Sequence, residues 1–160
     1  NSSNFFSYLA HTIKGDKMKD NVNSLDELNK GACMGIDAIL YILDKVENKK
    51  LKKLLETDYF KYKEITEKVK ELYPKYNEKK EPHKTNSLTK AMTYYDIEMK
   101  TLTDKSDSKI AELLLKGTNM GIIEGVKLLN NKEITKDVRD LIQEFVAMQE
   151  NEVEYLKRYL

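Results

Sequence analysis

Cysteine occurs once in these 160 residues, so no disulfide can form within the chain. A lone thiol suits a reducing compartment. Tryptophan is absent, proline occurs twice and glycine six times. So few breakers among many Lys, Glu and Leu exclude a turn-rich β architecture and favour an all-α protein. Neither sign of charge dominates: 28 Lys and Arg face 27 Asp and Glu, a net +1. That removes the electrostatic footprint of a nucleic-acid or anionic-membrane binder. The lysine pairs at 49–50, 52–53 and 79–80 have acids nearby and read as solvated faces. No apolar run approaches the roughly 18 residues that span a bilayer. No secretory segment is recognised, so a cytoplasmic protein is expected. Gly-rich phosphate loops, zinc spacings and nucleophile elbows are missing as well.

What is present is a motif written twice. Lys30-Gly31-Ala32-Cys33-Met34-Gly35-Ile36 reads K-G-x-x-M-G-I, and Lys116-Gly117-Thr118-Asn119-Met120-Gly121-Ile122 repeats it 86 positions later. The match extends without a gap, aligning Leu28 with Leu114, Leu43 with Leu129 and Glu47 with Glu133. One helical hairpin, duplicated, is the expectation.

The apolar spacing supports this. Ser24-Leu25-Asp26-Glu27 has the form of a capping box. Leu25, Leu28, Ala32, Ile36, Ile39, Leu43 and Val46 then recur at helical steps, predicting a first helix over about 25–46. Leu51, Leu55, Tyr59, Tyr62, Val69 and Leu72 predict a second over about 50–73, stopped by Pro74. Residues 74–85 hold both prolines and read as a loop. Leu88, Met92, Tyr95, Met99 and Leu102 predict a short helix over about 88–103, on the connection between hairpins. Ile110, Leu114, Gly121 and Leu128 lie on a third long helix, about 107–130. Val138, Leu141, Ile142, Phe145, Met148, Val153, Leu156 and Leu160 lie on a fourth, opened by Thr135 and Asp137.

All glycines except Gly15 fall inside the first and third of these helices. Each interior glycine costs about 1 kcal/mol relative to alanine, so five cost roughly as much as a small domain's whole stability. Gly31 and Gly35, and Gly117, Gly121 and Gly125, stand four apart and leave one bare stripe per helix. Close crossing of the two helices at a pseudo-dyad is the expected reason. The other is space, either for a ligand or for bulky side chains from the second and fourth helices.

L-x-K-G-x-x-M-G-I at the head of both helices, on a duplicated hairpin, resembles the ferritin-like superfamily. The stretch from Asp104 to Gly125 is similar to ferritin-like proteins of anaerobic Gram-positive bacteria. The resemblance implies a bacterial four-helix bundle of two antiparallel hairpins, joined by a long crossover that contains the short extra helix. Di-iron members take one Glu from each of two helices and a Glu-x-x-His from each of the other two. The resemblance puts Ala32 and Thr118 where the two single glutamates would stand. His11 and His83 have Tyr8 and Lys80 three residues back, and the second and fourth helices hold no histidine. The familiar iron ligands are therefore missing. No catalytic residue, no resident metal and no cofactor are expected.

Carboxylates elsewhere offer only weak metal candidates. Asp37, Glu56, Asp58, Glu64, Glu112, Glu124, Glu144 and Glu150 lie on the long helices. Glu124, Asp58 and Glu144 are the ones retained for a non-standard site. Cys33 reads as a small core hydrophobe; Tyr94 and Tyr95 on the crossover helix offer rings for stacking on a ligand, with Tyr95 read instead as half-buried over the bundle end. The leading reading is a non-enzymatic bundle acting by protein binding or assembly, including a homodimer, with no nucleic acid and no membrane. Its rivals are a carboxylate metal or redox protein and a carrier of a small molecule or lipid.

The first seventeen residues stand apart from the single domain expected over 18–160. Lys14-Gly15-Asp16-Lys17-Met18 can be encoded with a purine-rich ribosome-binding sequence just before an ATG. Translation starting at Met18 is one reading; an ordinary N-terminal extension is the other. Mass spectrometry of protein from its native source separates them. A mature chain that contains Phe5 and Phe6 excludes the start at Met18.

Overall fold

A computed structural model describes residues 2–78, 80–85, 96–98, 100–101 and 103–160. Among these residues the protein is all-α and has no β-strand. Four long helices carry it: α1 (Ser2–Ile42), α2 (Lys49–Leu72), α3 (Asp107–Leu129) and α4 (Lys136–Leu156). Single 3-10 turns at Leu43–Lys45, Tyr73–Lys75 and Lys157–Tyr159 follow α1, α2 and α4. Each helix packs most extensively on its chain neighbour, α1 on α2 and α3 on α4. The two pairs meet where α2 touches α4 and where α1 touches both α3 and α4.

The core follows from the apolar steps. Leu25, Leu28, Ile39 and Ile42 of α1, Leu51, Leu55, Ile65 and Val69 of α2, Ile110 and Ala111 of α3, and Val138, Ile142 and Leu156 of α4 are fully buried. The expected helix over 88–103 lies mostly outside the described residues, as do Tyr94 and Tyr95. Residues 96–98 and 100–101 of it are helical.

Polar side chains set the helix ends. Asn48 Oδ1 accepts from the amides of Lys50 and Leu51 at 3.0 Å, and its Nδ2 donates to Asp107 at 2.9 Å. One residue therefore caps α2 and ties it to the start of α3. Ser106 Oγ accepts from the Lys109 amide and caps α3. At the head of α4, Asp137 accepts from the Val138 amide and from the hydroxyls of Thr135 and Tyr76, and pairs with Lys75. Burial raises the proton affinity of Asp137, but the bonds from Lys75, Thr135 and Tyr76 outweigh it and hold the carboxyl well below its usual range. Asn21 joins this knot from α1, its Oδ1 accepting from the Thr135 amide at 2.9 Å.

Two expectations are corrected. The capping box does not start a helix, because α1 passes through it without a break and Ser24 is buried. No proline or tight turn interrupts the chain upstream. Asn21 Nδ2 donates back to the Lys17 carbonyl while its Oδ1 grips α4, so tertiary contact and helix agree there. Upstream of this grip, side chains 3–19 are exposed.

The second correction concerns the glycines. Although α1 and α3 touch, the space beside the glycine rows is taken by side chains of α2 and α4. A Cβ on Gly35 would lie 2.6 Å from the Tyr62 ring, and one on Gly31 would lie 3.2 Å from Phe145. On α3, Gly121 faces the amide of Gln149 and Gly125 faces Val146. A Cβ on Gly117 meets nothing within 4 Å. Room for bulky side chains, not a close crossing of α1 and α3, is what the rows provide.

Gly35 and Gly117 should therefore respond oppositely to alanine. Gly117→Ala gains helix propensity in open space and should raise stability by up to about 1 kcal/mol. Gly35→Ala must move a buried ring and should lower it, overpacking costing about 1–3 kcal/mol. Urea unfolding midpoints of the two variants check both signs.

Candidate buried polar site

The bundle interior holds a row of polar side chains between α2, α3 and α4. Asp58 and Tyr62 stand one turn apart on α2, and Gln149, Glu152 and Tyr155 follow at three-residue steps on α4. Those spacings place each set on one helix face. Thr118 of α3 completes the group. All six are buried, Glu152 to 1% exposure and Asp58 to 2%. A buried carboxyl without partners is costly, and both carboxyls have them. The Tyr155 hydroxyl donates to Asp58. The Tyr62 hydroxyl donates to Glu152 Oε2 at 2.9 Å. Thr118 Oγ1 lies 3.1 Å from Glu152 Oε1 and 2.8 Å from the Leu114 carbonyl. A cation stands near, Lys61, with its Nζ 4.0 Å from Asp58 and its side chain half-buried.

The electrostatics follow from this burial. Burial first, and then the charge of Asp58, push Glu152 up to about 8, against the opposing effect of its contacts with Tyr62 and Thr118. Burial also raises Asp58, partly offset by Tyr155 and Lys61. Tyr155 and Tyr62 are both raised, by burial and by the carboxylates beside them, so both stay protonated donors.

The sequence-derived candidates divide sharply. Asp58 belongs to this interior row. Glu124 is a surface residue paired with Lys127 at 3.3 Å, and Glu144 is a surface residue paired with Lys68 at 2.7 Å. Neither reaches Asp58's surroundings, so the three do not form one site. Glu56, Glu64 and Glu150 are exposed, and Glu112 pairs with Lys109 and Lys116. Asp37 and Cys33 are half-buried. His83 contacts α1 instead, its amide donating to Asp26 and its carbonyl accepting from Asn29.

Glu152 was missed by reading the sequence for ligand spacings. Its signal was periodicity: Phe145, Gln149, Glu152 and Leu156 continue the buried steps of α4, and a carboxyl on that line is inside. Among the described residues no group of three or more His, Cys, Asp or Glu is placed to hold a metal ion. No helix among them is long and apolar enough to cross a membrane. Compared with known proteins, the chain matches no family model, no curated protein and no solved structure.

Removing a donor from this row has a definite cost. Tyr155→Phe leaves the Asp58 carboxyl buried without its hydroxyl partner and should lower stability by about 1.5–3 kcal/mol. In an Asp58→Asn background the same change should cost much less. A double-mutant cycle by chemical denaturation measures the difference.

Proposed function

We propose that this chain is a ferritin-like bundle without di-iron chemistry, and that it works through its surface, by self-association. The duplicated hairpin is supported by burial. Leu25, Leu28 and Ala32 recur 86 positions on as Ala111, Leu114 and Thr118, all buried. Leu51, Leu55, Tyr62, Ile65 and Val69 recur 87 positions on as Val138, Ile142, Gln149, Glu152 and Leu156, again all buried. The resemblance puts Ala32 and Thr118 at the single-glutamate positions, and the side chains of the second and fourth helices buried near Thr118 at a three-residue step are Tyr62 with Ile65 and Gln149 with Glu152. One carboxyl, no imidazole and two apolar side chains do not fit a pair of irons, which needs bridging carboxylates and nitrogen donors. The protein's own hydroxyls take up the carboxyls instead.

The observation that carries the surface reading is a set of exposed apolar side chains that recurs with the motif. Met34 and Met120 occupy the same motif position and are both exposed, Met120 to 63%. Leu40 on α1, and Ile123 and Val126 on α3, are exposed with them. Large apolar side chains left in water on a folded body mark contact surfaces. Ferritin-like bundles commonly assemble, so the resemblance favours a second copy as the partner.

Sedimentation of the full chain tests this. A dimer is expected, and Ile123→Lys should return it to monomer with its helicity and unfolding midpoint nearly unchanged. A wild-type monomer at all accessible concentrations overturns self-association. Metal analysis of aerobically purified protein tests the interior. Iron and manganese well below one per chain are expected, and stoichiometric metal refutes the reading.

A further inference from the structure

The hydroxyls around Glu152 carry too few hydrogens to serve an ionised carboxylate. The Thr118 hydroxyl has one hydrogen and two acceptors nearby, the Leu114 carbonyl at 2.8 Å and Glu152 Oε1 at 3.1 Å. The shorter contact is the i to i−4 bond that helical threonines make to their own backbone. With the hydrogen spent there, Thr118 Oγ1 and an ionised Glu152 Oε1 would be two acceptors facing each other. The Tyr62 hydroxyl offers no second hydrogen, since its one goes to Glu152 Oε2 at 2.9 Å. A hydrogen on Oε1 removes the conflict: Glu152 then donates to Thr118 and accepts from Tyr62. Asp58 differs, because it receives the Tyr155 hydroxyl and has Lys61 toward solvent, which suits an ionised carboxylate.

We propose that Glu152 is held as a neutral carboxylic acid donating to Thr118, and that this buried proton locks α4 to α2 and α3 until alkaline pH removes it. The groups facing Glu152 are Asp58, Lys61 and Tyr62 from α2, Thr118 from α3, and Gln149 and Tyr155 from α4; α1 presents Gly35 to the Tyr62 ring. Deprotonation would set a second negative charge beside Asp58, with the half-buried Lys61 already paired to Asp58. It would also turn the contact with Thr118 into a repulsion between acceptors.

The direction of the pH effect follows from linkage. The folded protein binds the Glu152 proton more tightly than the unfolded chain does. Its contribution to stability is full below the ordinary glutamate range and is lost as pH rises through about 8. Asp58 shifts in the same sense and adds at the acid end of that window.

Carboxyl carbon NMR on protein labelled at glutamate side chains reads the proton directly. One glutamate resonance, absent from Glu152→Gln, should stay at the protonated position at pH 7 and titrate only in the alkaline range. Glutamine copies the neutral acid, with its Nε2 donating to Thr118 and its Oε1 accepting from Tyr62. Relative to Glu152→Gln, the wild-type unfolding constant should therefore rise about tenfold per pH unit across the window. A Glu152 resonance that titrates with the exposed glutamates overturns the proposal, as does an identical pH dependence of stability in both proteins. Where Glu152→Gln does not fold, the wild-type spectrum alone decides, and no protonated glutamate at pH 7 refutes it.

Discussion

The bond from the Tyr62 hydroxyl to the Glu152 carboxyl crosses the seam between α2 and α4, and the bundle interior is arranged to permit it. A tyrosine ring fits between α1 and α2 only because Gly35 has no Cβ, since one there would stand 2.6 Å from the ring. The same bareness at Gly121 admits the Gln149 amide. Interior glycines cost helix stability, and in exchange the bundle accepts side chains longer than the gap between its helices would otherwise hold. The phenol then brings its hydroxyl to a carboxyl that has no other way of being satisfied from α2. Glycine stripe and polar row are therefore one feature seen from two sides.

Polar groups in this interior restrict the ways the helices can pack. Apolar contacts between two amphipathic helices tolerate small slides, because dispersion and burial are nearly non-directional. Hydrogen bonds to buried carboxyls are directional, and a slide by one turn would strand both Asp58 and Glu152. Tyr155 fixes the register of α4 on α2 at one point and Tyr62 fixes it at another, on the next turn. Thr118 adds α3. Outside the row, Asn48 ties α2 to α3 and Asp137 ties α4 to the end of α2. Directional bonds at the ends and the middle choose one arrangement among several that apolar burial alone would allow.

Much of the fold was legible in the sequence because helix formation is local. The helix expected over about 50–73 is α2 to within one residue at each end, whereas the apolar steps from Val138 run on to Leu160 and α4 gives way to a 3-10 turn after Leu156. Ser106 and Asn48 act as the caps their types suggest. What failed depended on distant partners. Ser24 had every local mark of a helix start, yet Asn21, three residues earlier, grips Thr135 across the chain and keeps the segment helical. Glu124 looked central because its neighbours in sequence are apolar, but its own direction is outward. Glu152 was passed over because a search for ligand spacings asks which residues resemble a known site. Burial asks instead which charges have left water.

The contrast between Ile65 and Glu152 carries the chemistry of the interior furthest. On the proposed duplication they are the same position in two hairpins, and both are fully buried. One hairpin satisfies that position with hydrocarbon and the other with an acid. An acid there makes physical sense only with polar partners arriving from outside its own helix, and two arrive: Tyr62, a donor from the first hairpin, and Thr118, an oxygen from within the second. A symmetric interior with isoleucine at both places would bury more apolar surface and need none of these bonds. It would also lose the acid that holds a proton between α2, α3 and α4. The asymmetry therefore exchanges some stability for a proton held between the two halves, so the strength of their association becomes a function of the solution around the protein.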